Sequence, residues 1–134
     1  MNRRLDDLIP LALDAAKKHL ERGRGFIPSE YNGYIASFGA SVIQAGLKPA
    51  VAFNERKSES SSEDKRPLMR AILHILLAQG KGNDGKLADD ASLLSHILQR
   101  PEEERQLKRR ILDAATALKL AIRTFRLEKK GASS

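Results

Sequence analysis

The longest uninterrupted helical pattern in the chain, Pro101 to Lys130, constrains the fold most. Pro101 sits where a helix can begin, since the first turn leaves its missing N–H unused anyway. Glu102, Glu103 and Glu104 place negative charge at the positive end of the helix dipole. Lys129 and Lys130 supply the favoured sign at the other end, and Gly131 is the expected stop. At 1.5 Å per residue such a helix spans roughly 40 Å, about the width of a domain this size. The rest of the chain is expected to pack against it.

Its two faces differ. Leu107, Ile111, Ala114, Leu118, Ala121, Ile122 and Phe125 recur at three- and four-residue steps and form an apolar stripe. Arg105, Lys108, Lys119, Arg123, Arg126 and Lys130 fall within about 40° of a second line at 100° per residue. Leu112 and Ala115 interrupt that line, so the cations form two clusters. A solvated helix face explains such charge in most proteins. Six cations on one line without an intervening acid favour an anionic partner.

Other segments read as helices too. Leu5, Leu8, Ile9, Ala12, Ala15, Ala16 and Leu20 line one face between Arg4 and Arg22, with Pro10 awkward inside. Gly23 and Gly25 end that element and leave Arg22 and Arg24 in a basic turn. A second helix starts near Pro28 or Ser29 and runs to about Ala45, with Gly46 as its stop. Tyr31, Tyr34 and Phe38 belong to its apolar faces, in the core or at a subunit contact, the core being favoured. Gly33 and Gly39 inside it favour close helix packing. Ala50 to Phe53 forms a short apolar element after Pro49, helical through Arg56. Pro67 to Gln79 is apolar nearly all round, as a helix buried in a bundle would be. Leu87 to Gln99 makes a further amphipathic helix with Asp89 and Asp90 in its first turn. Residues 57–65, KSESSSEDK, offer nothing to bury and read as a flexible loop; 131–134 read as a tail. The pattern predicts an all-α, single-domain bundle of about five to six helices over 1–134, with a long C-terminal helix and no strands.

Composition narrows the chemistry. The formal charge is +7 and the pI about 9.9, so nucleic acid is the first candidate partner. Four Phe, two Tyr and no Trp are few for base stacking, which favours contact with phosphates over reading of bases. The absence of cysteine excludes disulfides, thiolate zinc sites and a cysteine nucleophile. No apolar run reaches membrane-spanning length and no signal peptide is visible, so a cytoplasmic protein is expected. Gly80, Gly85 and Lys86 have the spacing of a phosphate-binding loop, but Leu87 stands where Ser or Thr must hold magnesium, and a helix precedes it, not a strand. His19, His74 and His96 show no metal-helix spacing, and His74 reads as a hydrogen-bonded core residue. Asp89 and Asp90 point about 100° apart on a helix and pair poorly on a metal. No serine has a base partner by motif. A non-enzyme without metal or cofactor is expected.

The run from Ile27 to Phe53, IPSEYNGYIASFGASVIQAGLKPAVAF, carries a family resemblance. An aromatic-rich helix follows a proline, then comes a turn-and-helix with Gly46, Leu47, Ala52 and Phe53. A polar insertion, a buried helix and a long last helix ending AIRTFRLEKK complete the order. This resembles the small all-helical subunit of type III-B CRISPR effector complexes, the fifth and smallest class of Cmr protein. The resemblance implies a non-catalytic subunit that stacks with further copies of itself beside other Cmr subunits and helps form a basic groove along guide RNA and target RNA. On that reading Arg105, Lys108, Lys119, Arg123, Arg126 and Lys130 would touch RNA phosphates. Two other readings stay open: a module docking an acidic protein without RNA, and a helical hydrolase.

Overall fold

A computed structural model describes residues 3–56, 64–79, 87–88 and 90–129. The expectations for 57–63, for the glycine-rich loop 80–86, for Asp89 and for Lys130 to Ser134 lie outside the described residues. The architecture is all-α, as the patterns predict. The helices are α1 (Arg3–Ala16), α2 (Glu30–Ala45), α3 (Leu47–Glu55), α4 (Arg66–Ala78), α5 (Leu93–Leu98) and α6 (Glu104–Ile122).

The nearly all-apolar α4 is the centre of the bundle. Leu68, Met69, Ala71, Ile72, Leu73, His74, Ile75 and Leu76 are all buried, because α1, α3, α5 and α6 cover it on every side. The apolar stripe of α6 buries Leu107, Ile111, Ala114, Ala115, Ala117, Leu118, Ala121 and Ile122 against α1, α2 and α4. Alanines at three- and four-residue steps on both α1 and α6 let these two helices lie close. In α2 the same spacing buries Tyr31, Ile35, Phe38 and Val42. Gly46 ends α2 at φ 103°, a backbone that an L side chain adopts only with strain.

Several expectations need correction. Helix α1 does not start near the exposed Pro10 but continues through it, and then widens into a π turn, Lys17–Glu21. Arg22 closes that turn, its N–H donating to the Lys17 carbonyl at 2.9 Å with φ 55°. A Cβ on Gly33 or Gly39 would meet nothing within 4 Å, so close helix packing does not explain either glycine. Helix α5 is only six residues long, and Leu87 and Ala88 precede it as coil. Ser92 is its cap, accepting from the Ser95 N–H at 3.2 Å.

The last helix also stops early, at Ile122 and not near Lys130. Its 19 residues span about 28 Å. The Thr124 hydroxyl donates to the Ala121 carbonyl at 2.8 Å, and the chain then turns into β2 (Leu127–Glu128). This pairs in parallel with β1 (Ile27–Pro28), Ile27 opposite Leu127. The Ile27 and Ser29 amides donate to the Arg126 and Glu128 carbonyls, both at 2.8 Å. The expectation of no strands fails on this short pair. Two cross-chain hydrogen bonds, with Phe125 and Leu127 packed on the core, replace what continued helix would have offered.

Candidate nucleic-acid interface

The end of α6 at Ile122 divides the predicted basic line. Arg105 and Lys108 are exposed on its first turns, one turn apart. Lys119 is half-buried near the other end, and the exposed Arg123 is the residue that closes the helix. These four keep their shared helical direction. Arg105 and Arg123 are five turns apart, about 27 Å along the axis. Arg126 leaves the line. It is exposed in the turn before β2, and its Nε meets Glu128 Oε2 at 3.1 Å, so an acid does stand beside the sixfold set. Lys130 lies outside the described residues.

The gap between the two clusters is apolar. Leu112, Ala115 and Thr116 of α6 face Ile35, Ala36, Gly39 and Ile43 of α2 across a shallow groove of about 300 Å³, with Lys119 at its edge. Ile43 is 70% exposed there. Sequence reasoning passed over Arg109, which is exposed one turn beyond Arg105 and extends that cluster. The signal was available, since i and i+4 are neighbours on a helix. Arg110 is not part of this set: its guanidinium is turned to the Leu76 carbonyl and the Gln79 side chain, both at 3.3 Å.

Three of the acids are locally engaged. Glu55 accepts from the Leu93 and Leu94 amides at 2.7 and 3.2 Å and from the Ser92 hydroxyl at 2.8 Å, filling the α5 N-terminus. Glu21 accepts from the Gly23 and Gly25 amides, both at 2.6 Å, and these hold its carboxyl below the ordinary range. Asp64 takes both oxygens to Arg66, at 2.8 and 2.9 Å, which also lowers its carboxyl. A cleft of about 400 Å³ between α4 and the segment before α5 carries Glu55, Asp64, Arg66, Arg70 and Asp90. Its mixed charge does not favour an anion.

One polar cluster joins residues 55 apart. His19, in the π turn, sets Nε2 at 3.1 Å from His74 Nδ1 in α4, with the rings edge to face. His74 Nε2 stands 3.3 Å from Asp14 Oδ2. Both rings are buried. Burial, then His74, Arg70, Lys18 and Arg22, lowers the His19 pKa to about 4. The expected hydrogen-bonded core histidine is therefore found, with a second histidine as its partner. Among the described residues no group of three or more His, Asp or Glu side chains is placed to hold a metal, and no helix is long and apolar enough to cross a membrane.

A family model described as CRISPR-associated protein (Cas_Cmr5) matches residues 11–124. The chain belongs to that family. The match begins within α1 and ends just beyond α6, so it takes in the end of α1 and all of α2 to α6. Membership makes the chain a CRISPR-associated Cmr subunit, and association with other subunits of a Cmr complex is what the family implies. No curated protein and no solved structure matches it.

Proposed function

We propose that this Cas_Cmr5 protein is a non-catalytic small subunit of a type III-B RNA-targeting effector complex. It stacks with further copies of itself in a filament and holds the backbone of guide and target RNA on the basic face of α6. The observation that carries this reading is the set of solvent-facing cations on α6, Arg105, Lys108 and Arg123, on a chain of this family. Lys119 adds to the second cluster, and Arg126 can join it on releasing Glu128. Contact is to phosphates and carries no sequence preference. Four such contacts predict a fall of log affinity with log salt at a slope of about −3 on single strands.

The test is the triple variant R105E/K108E/R123E in the assembled complex. These side chains are exposed, so helicity is expected to persist while target-RNA retention drops. Retention equal to the unaltered complex would overturn this placement. The competing reading, a basic face docked on an acidic protein, predicts that ribonuclease treatment leaves the chain bound to its partner and that the triple variant releases it.

A further inference from the structure

The chain has only six aromatic residues, yet the fold gathers several of them with cations on one side. Phe53, near the end of α3, was expected in an apolar element but is 52% exposed. Arg56, the residue that closes α3, sets its guanidinium 4.6 Å from the Phe53 ring centre. Lys65, just before α4, places its ammonium 5.1 Å from the same ring and 5.0 Å from Tyr34 of α2. Tyr34 in turn packs edge to face on the buried Tyr31, ring centres 5.9 Å apart. Three segments distant in sequence thus meet at one ring-and-cation cluster. A second pair, Arg24 over Phe26 at 5.2 Å, stands at the other end of the turn that leads into α2.

The arrangement is open outward and neutralised inward. The fold leaves about half of Phe53 open to solvent, although burying an aromatic ring is favourable. Among the described residues, the two acids next to these cations in sequence are engaged elsewhere: Glu55 is turned to the α5 amides, and Asp64 is held by Arg66. Rings interleaved with cations suit a strand whose bases are unpaired, because each base has a face to stack and each phosphate a charge to neutralise.

We infer that Phe53, Tyr34, Lys65 and Arg56 form a stacking site for an unpaired base of single-stranded RNA, separate from the α6 face. The site takes any base, since stacking needs only a ring face. A duplex does not enter, because its bases are already stacked on one another. This inference rests on the reading that the chain meets RNA, but it concerns different helices and a different interaction.

The chain lacks tryptophan, so F53W supplies a sole indole reporter. The full chain would be titrated with a fifteen-residue oligouridylate, the same strand in duplex form, and polyglutamate. The single strand is expected to quench the indole emission and the duplex to leave it unchanged. In the otherwise unaltered chain, F53L keeps apolar bulk and is expected to weaken oligouridylate binding roughly 5- to 150-fold while leaving circular dichroism unchanged. Binding lost in R105E/K108E/R123E but untouched by F53L would overturn the stacking site and leave the proposed function standing. Absence of oligouridylate binding by the unaltered chain and by F53W would overturn the stacking site. Quenching of F53W by polyglutamate as strong as by RNA would assign the patch to an acidic protein and overturn the inference.

Discussion

Acid should loosen this fold well before its carboxylates protonate, through His19. The side chain is 9% exposed, pressed against His74, and surrounded by the positive charges of Arg70, Lys18 and Arg22. Neutral rings satisfy the cluster: one proton lies between His19 Nε2 and His74 Nδ1, and His74 Nε2 faces Asp14. A second proton would put a cation into that buried contact. Unfolded, His19 takes up its proton near 6.5; folded, near about 4. Between those values the unfolded chain binds more protons, so stability is complete above the upper one and falls as pH falls. With one pKa unit equal to about 1.4 kcal/mol, lowering the pH from 7 to 5 should cost about 2 kcal/mol from this group. For a domain of this size that is a drop in Tm of roughly 6–10 °C. The assay is urea unfolding at each half unit between pH 7 and 5, for the unaltered chain and H19Q, whose amide can still donate to His74. H19Q is expected to start less stable and to lose about 2 kcal/mol less over the range. His96, also lowered by burial, contributes the same slope to both chains and cancels in the difference. Equal pH dependence in the two would refute the reasoning.

Two further outcomes follow from backbone geometry. Gly33 and Gly39 are helical with open space at each Cβ position, so G33A and G39A should each stabilise by about 1 kcal/mol in urea unfolding. E55A removes the acceptor for two α5 amides and should cost about 1–2 kcal/mol by the same assay, with E55Q losing less because one oxygen still accepts.

The bundle was legible because its periodicities are strong. The buried faces of α2, α4 and α6 are the apolar positions that their spacing picks out, Phe38, Ile72 and Ile111 among them. What failed were the places where local pattern and long-range pairing disagree. Nothing between Ile122 and Lys129 forbids helix: there is no glycine or proline, and Phe125 even continues the apolar stripe. The helix ends because Ile27 and Ser29, nearly a hundred residues earlier, offer amides to the Arg126 and Glu128 carbonyls. The exposure of Phe53 was not legible either: it closes an apolar run, yet α3 buries Leu47, Ala50, Val51 and Asn54 and turns Phe53 outward. The His19–His74 contact had no signal at all, since neither residue carries a motif and 55 positions separate them.

The excess of positive charge becomes more pointed where acids near the cations are traced. A net +7 spread evenly would say little about a partner. Here Glu55, Glu21 and Asp64 are engaged by backbone amides or by Arg66, and Glu104 meets Lys48 at 3.1 Å on the surface. Arg105, Lys108, Arg109 and Arg123 stay on the solvent side of α6, while Lys65 and Arg56 lie over aromatic rings on α2 and α3. Carboxylates used as caps do not screen a distant cation as a neighbouring ion pair would. Two sets of cations stand out, those along α6 and those over the rings of α2 and α3. One has apolar side chains between its clusters and the other has aromatic rings. A polyanion with both phosphates and exposed bases can satisfy both surfaces, whereas an acidic helix would satisfy the first and leave Phe53 without a partner.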